Sequence, residues 1–136
     1  MSNLEQTLSI IKPDAVERNL DKEIKNIFQN KGFTIIKEKK LQLEKSDAEK
    51  FYKVHETKPF YNDLCAYLSS GPIVVMILQR ENAVTENRKL MGATNPVDAD
   101  EGTLRKKYGV SIDKNSVHGS DSPENAKIEI EFFFKD

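Results

Sequence analysis

The feature that most constrains this chain is a run of six consecutive apolar residues, Ile73-Val-Val-Met-Ile-Leu78. Four of the six are β-branched, and the run is bounded by Gly71-Pro72 on one side and Gln79-Arg80 on the other. It reads as a central strand buried on both faces. The same run is the longest apolar stretch and falls far short of the roughly 20 residues that cross a bilayer. No membrane partner is expected.

Other segments arrange themselves around that strand. Thr7 to Ile11 is short, β-prone and closed by Lys12-Pro13, which reads as a strand entering a turn. From Asp21, the residues Ile24, Ile27 and Phe28 recur at helical spacing until Gly32. Phe33 to Leu43 places Phe33, Ile35, Leu41 and Leu43 on one alternating face, interrupted by Lys37 and Lys39 as in an edge strand. Ser46-Asp-Ala-Glu49 has the form of a capping box, opening a helix with Ala48, Phe51, Tyr52 and His55 on one face and ending at Lys58-Pro59. A second helix is expected from Phe60 to Ser70, and a third from Val84 to Met91, stopped by Gly92. From Gly92 to Ser122 the chain is irregular, with a helical turn around Thr103 to Tyr108. Long irregular stretches in small domains tend to be functional.

The last segment gives conflicting signals. Ser122-Pro123 is an N-cap followed by proline at the first helical position, whereas Ile128, Ile130, Phe132 and Phe134 alternate with Glu129 and Glu131 as in a strand. The element order suggests an α+β sandwich, an antiparallel sheet with helices on one face.

Composition narrows the function classes. A length of 136 residues suits one hydrophobic core and hence a single domain over 1–136. With 21 Lys+Arg against 22 Asp+Glu the formal net charge is −1, which removes the basic excess expected of a protein bound primarily to nucleic acid. The single cysteine, Cys65, has no intrachain partner, which fits a reducing compartment. The amino-terminal Met1-Ser-Asn-Leu-Glu-Gln6 has neither a basic nor an apolar signal region, so a cytoplasmic location is expected.

Chemistry has few places to reside. Neither common glycine-rich phosphate cradle, G-x-x-x-x-G-K-[ST] or G-x-G-x-x-G, is present, and no Cys/His group has zinc spacing. Of the two histidines, His55 lies beside Tyr52 on an expected helix and reads locally as a residue bordering the core. His118 lies in Asn115-Ser-Val-His-Gly-Ser-Asp-Ser122, where Asn115, Ser120 and Asp121 surround it with hydrogen-bonding groups. On these residues alone, a reactive site and a surface loop that caps the last helix both stand. Lys12, Arg88 and Arg105 are candidate anion binders; the two arginines flank Gly92-Ala-Thr-Asn-Pro96 and Gly102-Thr-Leu-Arg105.

Taken together, these blocks resemble the nucleoside diphosphate kinase family. The matching segments are Thr7-Leu-Ser-Ile-Ile-Lys-Pro-Asp14, Lys58-Pro-Phe-Tyr61, Ser70-Gly-Pro72, Met91-Gly-Ala-Thr-Asn-Pro96, Gly102-Thr-Leu-Arg105 and, most specific, Asn115-x-x-His118-Gly-Ser-Asp-Ser122. The resemblance runs from about Leu4 to Phe134. It implies a ferredoxin-like β-α-β-β-α-β sandwich with an antiparallel four-stranded sheet. It also implies a ping-pong reaction in which a nucleoside triphosphate, typically ATP, gives its γ-phosphoryl to His118 and a nucleoside diphosphate removes it. An imidazole suits that task, being a neutral nucleophile near physiological pH.

By the same resemblance, Arg88, Thr94, Arg105 and His55 hold the nucleotide phosphates, and Tyr52 contacts the phosphate at His118. Lys12 and Asn115 engage ribose hydroxyls and phosphate. Phe60 stacks on the base with Leu64 and Ile112 nearby, a contact that tolerates any base. Glu129 holds the ring nitrogen of His118 that is not phosphorylated, and Ser120 bonds to that carboxylate. Mg²⁺ arrives with the phosphates, largely through water, so no protein metal ligands are expected. A homo-oligomer, tetramer or hexamer, is implied.

The resemblance also resolves the last segment as a helix from Ser122 to about Phe132, which places Glu129 two turns after the cap and facing the His118 loop. Two segments depart from the family pattern: Lys106-Lys107-Tyr108-Gly109 stands where an acidic residue followed by Phe is common, and Gln79-Arg80 replaces a frequent Glu-Gly. Lys106 and Lys107 are expected to aid nucleotide capture through their field. A binding module that keeps the fold without transferring phosphoryl is the alternative, disfavoured by the full set of motif residues.

Overall fold

The computed structural model describes residues 4–53, 56–110 and 116–134. The apolar run lies in strand β3 (Ile73–Glu81), which pairs antiparallel with β1 (Leu4–Ile11) on one side and β2 (Thr34–Leu41) on the other. A short strand β4 (Val117–Gly119) adds antiparallel to the free side of β1, giving the order β2-β3-β1-β4. The helices are α1 (Pro13–Glu17), α2 (Asp21–Asn30), α3 (Lys45–Phe51), α4 (Tyr61–Leu68), α5 (Ala83–Met91) and α6 (Leu104–Tyr108) between the strands, and α7 (Pro123–Phe133) after β4. This is the ferredoxin-like α+β arrangement.

Both faces of the sheet are covered, rather than one. Alternate residues of β3 divide between two apolar clusters: Val74, Met76 and Leu78 pack with Ile24 and Phe28 of α2, and Ile73 and Val75 pack with Ala48 of α3 and Leu68 of α4. A strand apolar at every position requires this, because adjacent side chains leave on opposite faces.

Strand β2 departs from the single alternating face. A bulge between Ile35 and Lys37 shifts its register, with Ile35 opposite Leu78 and Lys37 opposite Ile77. The extra residue, Ile36, reverses the alternation. As a result Phe33 and Ile35 join one core, whereas Leu41 and Leu43 join the other.

Helix boundaries also differ in two places. Helix α3 is capped at Glu44, whose N–H donates to Asp47 Oδ2 at 3.3 Å, so the box starts two residues before Ser46. Carboxylates serve as well as a hydroxyl here, and the buried Leu43 fixes where the chain leaves the core. The same helix ends at Phe51 with Tyr52 as its C-cap, well before Lys58-Pro59. The remaining helix readings agree: Thr103 and Ser122 each accept a backbone N–H three residues on, and Ser122-Pro123 opens α7 as a helix. Its Ala126 and Phe133 are buried against the sheet, which leaves Ile128 on the outside.

Candidate active site

His118 owes its place to the sheet. It sits in β4 opposite Ile10, and the strand is closed by Ser120, whose N–H donates to the Leu8 carbonyl at 3.2 Å while its Oγ accepts the Leu8 N–H at 3.2 Å. The irregular stretch read from sequence therefore contains a strand. A segment of three residues carries too little periodicity to be read as one.

Helix α7 then returns over β1 and brings Glu129 to the imidazole. His118 Nε2 and Glu129 Oε1 are 3.2 Å apart, and Ser120 Oγ donates to the same Oε1 at 2.8 Å. A carboxylate accepts only, so Nε2 carries the proton and Nδ1 keeps its lone pair. Leu8, Ser120, Glu129 and His118 thus form one hydrogen-bonded chain from the sheet backbone to the ring. The two side chains of the pair, His118 and Glu129, are each about one-fifth exposed.

Two aromatic rings complete the surroundings of the imidazole. Tyr52 is buried, with its centroid 6.5 Å from that of His118. Burial, reinforced by the charge of Glu129, pushes its phenol well above the ordinary range, so the hydroxyl keeps its proton. Phe51 comes closer, at 5.3 Å edge-on, and itself stacks on Phe132. Sequence reasoning placed Phe51 on one helix face with Tyr52 but did not name it as a neighbour of the imidazole, because that contact joins α3 to β4 across some sixty-five residues of sequence.

The imidazole opens onto a cleft of about 510 Å³, within the range of small-molecule sites. Lys12, Tyr52, Phe60, Leu64, Arg88, Thr94 and Arg105 all line it. His55, Ile112 and Asn115 lie outside the described residues. Asp121, read from sequence only as one of the hydrogen-bonding groups around His118, also lines the cleft. Its signal was its place three residues after His118 in a strand-to-helix turn.

The cations of the cleft are held in different ways. Arg105 is buried and donates to the Gly92 carbonyl and to the Val117 carbonyl, each at 3.0 Å. Burial, with the nearby charge of Arg88, lowers its pKa to about 10, so it remains charged at neutral pH. Arg88 lies at the end of α5 and reaches the Asp121 carbonyl at 3.4 Å. Gly119 allows α5 to come this near: a Cβ there would lie 2.3 Å from Asn87 Nδ2 and 2.8 Å from Met91 Cε. Lys12 follows β1 directly and caps α1, its side chain almost fully buried. Facing His118, such a set of cations can neutralise a polyanion held in line with Nδ1.

The comparisons with known proteins agree with this geometry. The family model for nucleoside diphosphate kinase matches residues 5–136. The chain belongs to the nucleoside diphosphate kinase family. It is 55% identical to the nucleoside diphosphate kinase of Persephonella marina over 132 residues, 97% of this chain and 94% of that protein. Identity to the Geobacter sulfurreducens kinase is also 55%, over 131 residues and 96% of each chain. Among solved structures, the nucleoside diphosphate kinase of Aquifex aeolicus superposes with a TM-score of 0.95 at 37% identity, covering 96% of this chain and 95% of that one. The apo enzyme of Encephalitozoon cuniculi gives 0.94 at 38% identity, covering 97% and 90%. As a member of the nucleoside diphosphate kinases, the chain is a phosphotransferase acting on nucleotides. Among the described residues no helix is long and apolar enough to cross a membrane.

Proposed function

We propose that His118 Nδ1 is the atom that carries the phosphoryl group between nucleotides. In the first half-reaction the Nδ1 lone pair attacks the γ-phosphorus of a nucleoside triphosphate. The P–N bond forms as the bond to the bridging oxygen breaks, and the nucleoside diphosphate leaves. In the second, a terminal oxygen of another diphosphate attacks the same phosphorus, the P–N bond breaks, and His118 returns to its starting tautomer. The observation that carries this reading is the chain from Ser120 through Glu129 to His118 Nε2, at the wall of a cleft with three cations.

The remaining groups take the tasks that the family resemblance implies for them. Glu129 stabilises positive charge on the ring as the P–N bond forms, and Ser120 orients that carboxylate. Arg88, Arg105 and Thr94, with His55, receive the phosphates. Tyr52 donates towards the phosphoryl group at His118. Lys12 and Asn115 read the ribose hydroxyls, and Phe60, with Leu64 and Ile112, holds the base.

Mg²⁺ enters as part of the nucleotide substrate. Among the described residues no group of three or more His, Cys, Asp or Glu side chains is placed to hold a metal ion. Asp121, the one acidic residue among the described residues lining the cleft, suits contact with the water shell of an ion that the phosphates hold, and the ion would supply charge neutralisation there. The exposed edge of β2 with Ile36, and the exposed Val97 and Val110, support a homo-oligomer, tetramer or hexamer. The lone buried Cys65 supports a cytoplasmic setting.

The test is transfer of label from γ-labelled ATP to the protein. The phosphoenzyme should be acid-labile and base-stable, absent in His118→Ala and retained in His55→Ala. Acid-stable label would assign the acceptor to a serine instead.

A further inference from the structure

The cleft is backed by a second polar cluster that no reacting group belongs to. Asp14, in the first turn of α1, is 7% exposed, and its two carboxylate oxygens are both engaged. Tyr67 Oη of α4 donates to Oδ1 and accepts the Asp14 N–H at 2.9 Å. Ser116 Oγ donates to Oδ2 at 2.8 Å, and Arg18 reaches the same oxygen at 3.3 Å. Arg18 also donates to the carbonyl of Tyr108, the last residue of α6, and to Ser116 Oγ. One carboxylate therefore joins α1, α4, α6 and the residue that leads into β4.

What this cluster holds is unusual. Ser116 is fully buried and adopts φ +74°, a left-handed conformation that L side chains other than Asn and Asp rarely take. It persists where surrounding contacts fix it. Here the contacts are Asp14 on the hydroxyl and the Lys12 N–H on the carbonyl, at 2.8 Å. Ser116 is thus gripped from both ends by the α1 turn. Two residues later comes His118, and at the other end of the same turn is Lys12.

We propose that Asp14 is a positioning residue for phosphoryl transfer: through Ser116 it fixes the register between Lys12 and the strand of His118. The inference rests on the reading of Lys12 as a ribose contact. Phosphoryl transfer depends on alignment, and a displacement of about 1 Å costs up to a hundredfold. The raised pKa of the Tyr67 phenol, from burial and then its bond to Asp14, agrees with Tyr67 as donor in the cluster.

The experiment compares ATP with its 3′-deoxy analogue as phosphoryl donors to His118, in the wild type, Asp14→Asn, Tyr67→Phe and Ser116→Ala. If the cluster sets Lys12 against His118, the variants should lose roughly tenfold in kcat/KM with ATP and much less with the 3′-deoxy donor. The preference for the ribonucleotide would then collapse. A change in folding alone would lower both donors equally, so variants that retain the wild-type preference overturn the inference while leaving the Lys12 assignment intact. A wild type indifferent to the 3′-hydroxyl overturns both. Tyr67→Phe removes the two hydrogen bonds its hydroxyl makes to Asp14 but leaves the carboxylate paired with Arg18 and bonded to Ser116, and so gives a folded variant if Asp14→Asn does not.

Discussion

The two ends of the cleft are built to different standards. At the His118 end the imidazole and its supports are held in series: the ring by Glu129, the carboxylate by Ser120, and the serine by the backbone of β1. At the far end, Phe60 is 43% exposed at the N-cap of α4. On the proposed mechanism, the difference matches what each end must do. In-line transfer to a single nitrogen tolerates little misplacement, whereas a kinase of nucleoside diphosphates gains by accepting any base. Rigidity is concentrated where the bond forms.

Glu129→Gln is the sharpest test of that division. An amide can still accept from Nε2–H but cannot stabilise a ring that becomes positive as the P–N bond forms. Single-turnover phosphorylation of His118 should fall by about a hundredfold or more, with KM for the nucleotide little changed. A variant that loses affinity and keeps its rate would show that the carboxylate shapes the cleft rather than the reaction.

How much of this could be read from the chain depends on the range of the interaction. Ser122-Pro123 and Thr103 announce helix starts because a cap acts within one turn, and the run Ile73 to Leu78 announces a doubly buried strand. The bulge at Ile36 left no such mark, since it answers to pairing with β3 across some forty residues of sequence. The capping box misled because Glu44 and Ser46 are both competent caps, and the choice was made by where Leu43 entered the core. Within the site, the type of each motif residue was legible. The Phe51 edge on His118, and the Asp14 cluster behind Ser116, arise from contacts between distant segments and had no local signature.

A smaller effect is expected at the open end. Phe60→Ala removes a stacking surface worth about 1 kcal/mol, the lower part of the range for base stacking because the ring is 43% exposed. KM should rise about fivefold for purine and pyrimidine diphosphates alike, with phosphorylation at saturating nucleotide unchanged. Steady-state kinetics on all four common diphosphates decides this. A loss confined to one base would mean that the far end is as specific as the near one.

The smallest effect concerns charges outside the cleft altogether. Arg105 is buried with its guanidinium on the Gly92 and Val117 carbonyls, whereas its neighbours Lys106 and Lys107 are exposed and absent from the cleft lining. Lys107 instead lies over the ring of Tyr108, its Nζ 5.3 Å from the centroid. Neither lysine can therefore fix a nucleotide by contact, but both sit on the helix that carries Arg105. Their field reaches an incoming polyanion over about 8 Å at physiological ionic strength and farther at low salt. Replacing them together, Lys106→Ala with Lys107→Asp, should lower kcat/KM severalfold at low salt, an effect that fades as salt is raised. Phosphorylation of His118 at saturating ATP should not change, because the chemistry is set by groups whose bonds the substitution leaves intact. Equal kcat/KM for the two proteins across the salt series would mean that capture, like base acceptance, is governed wholly from inside the cleft.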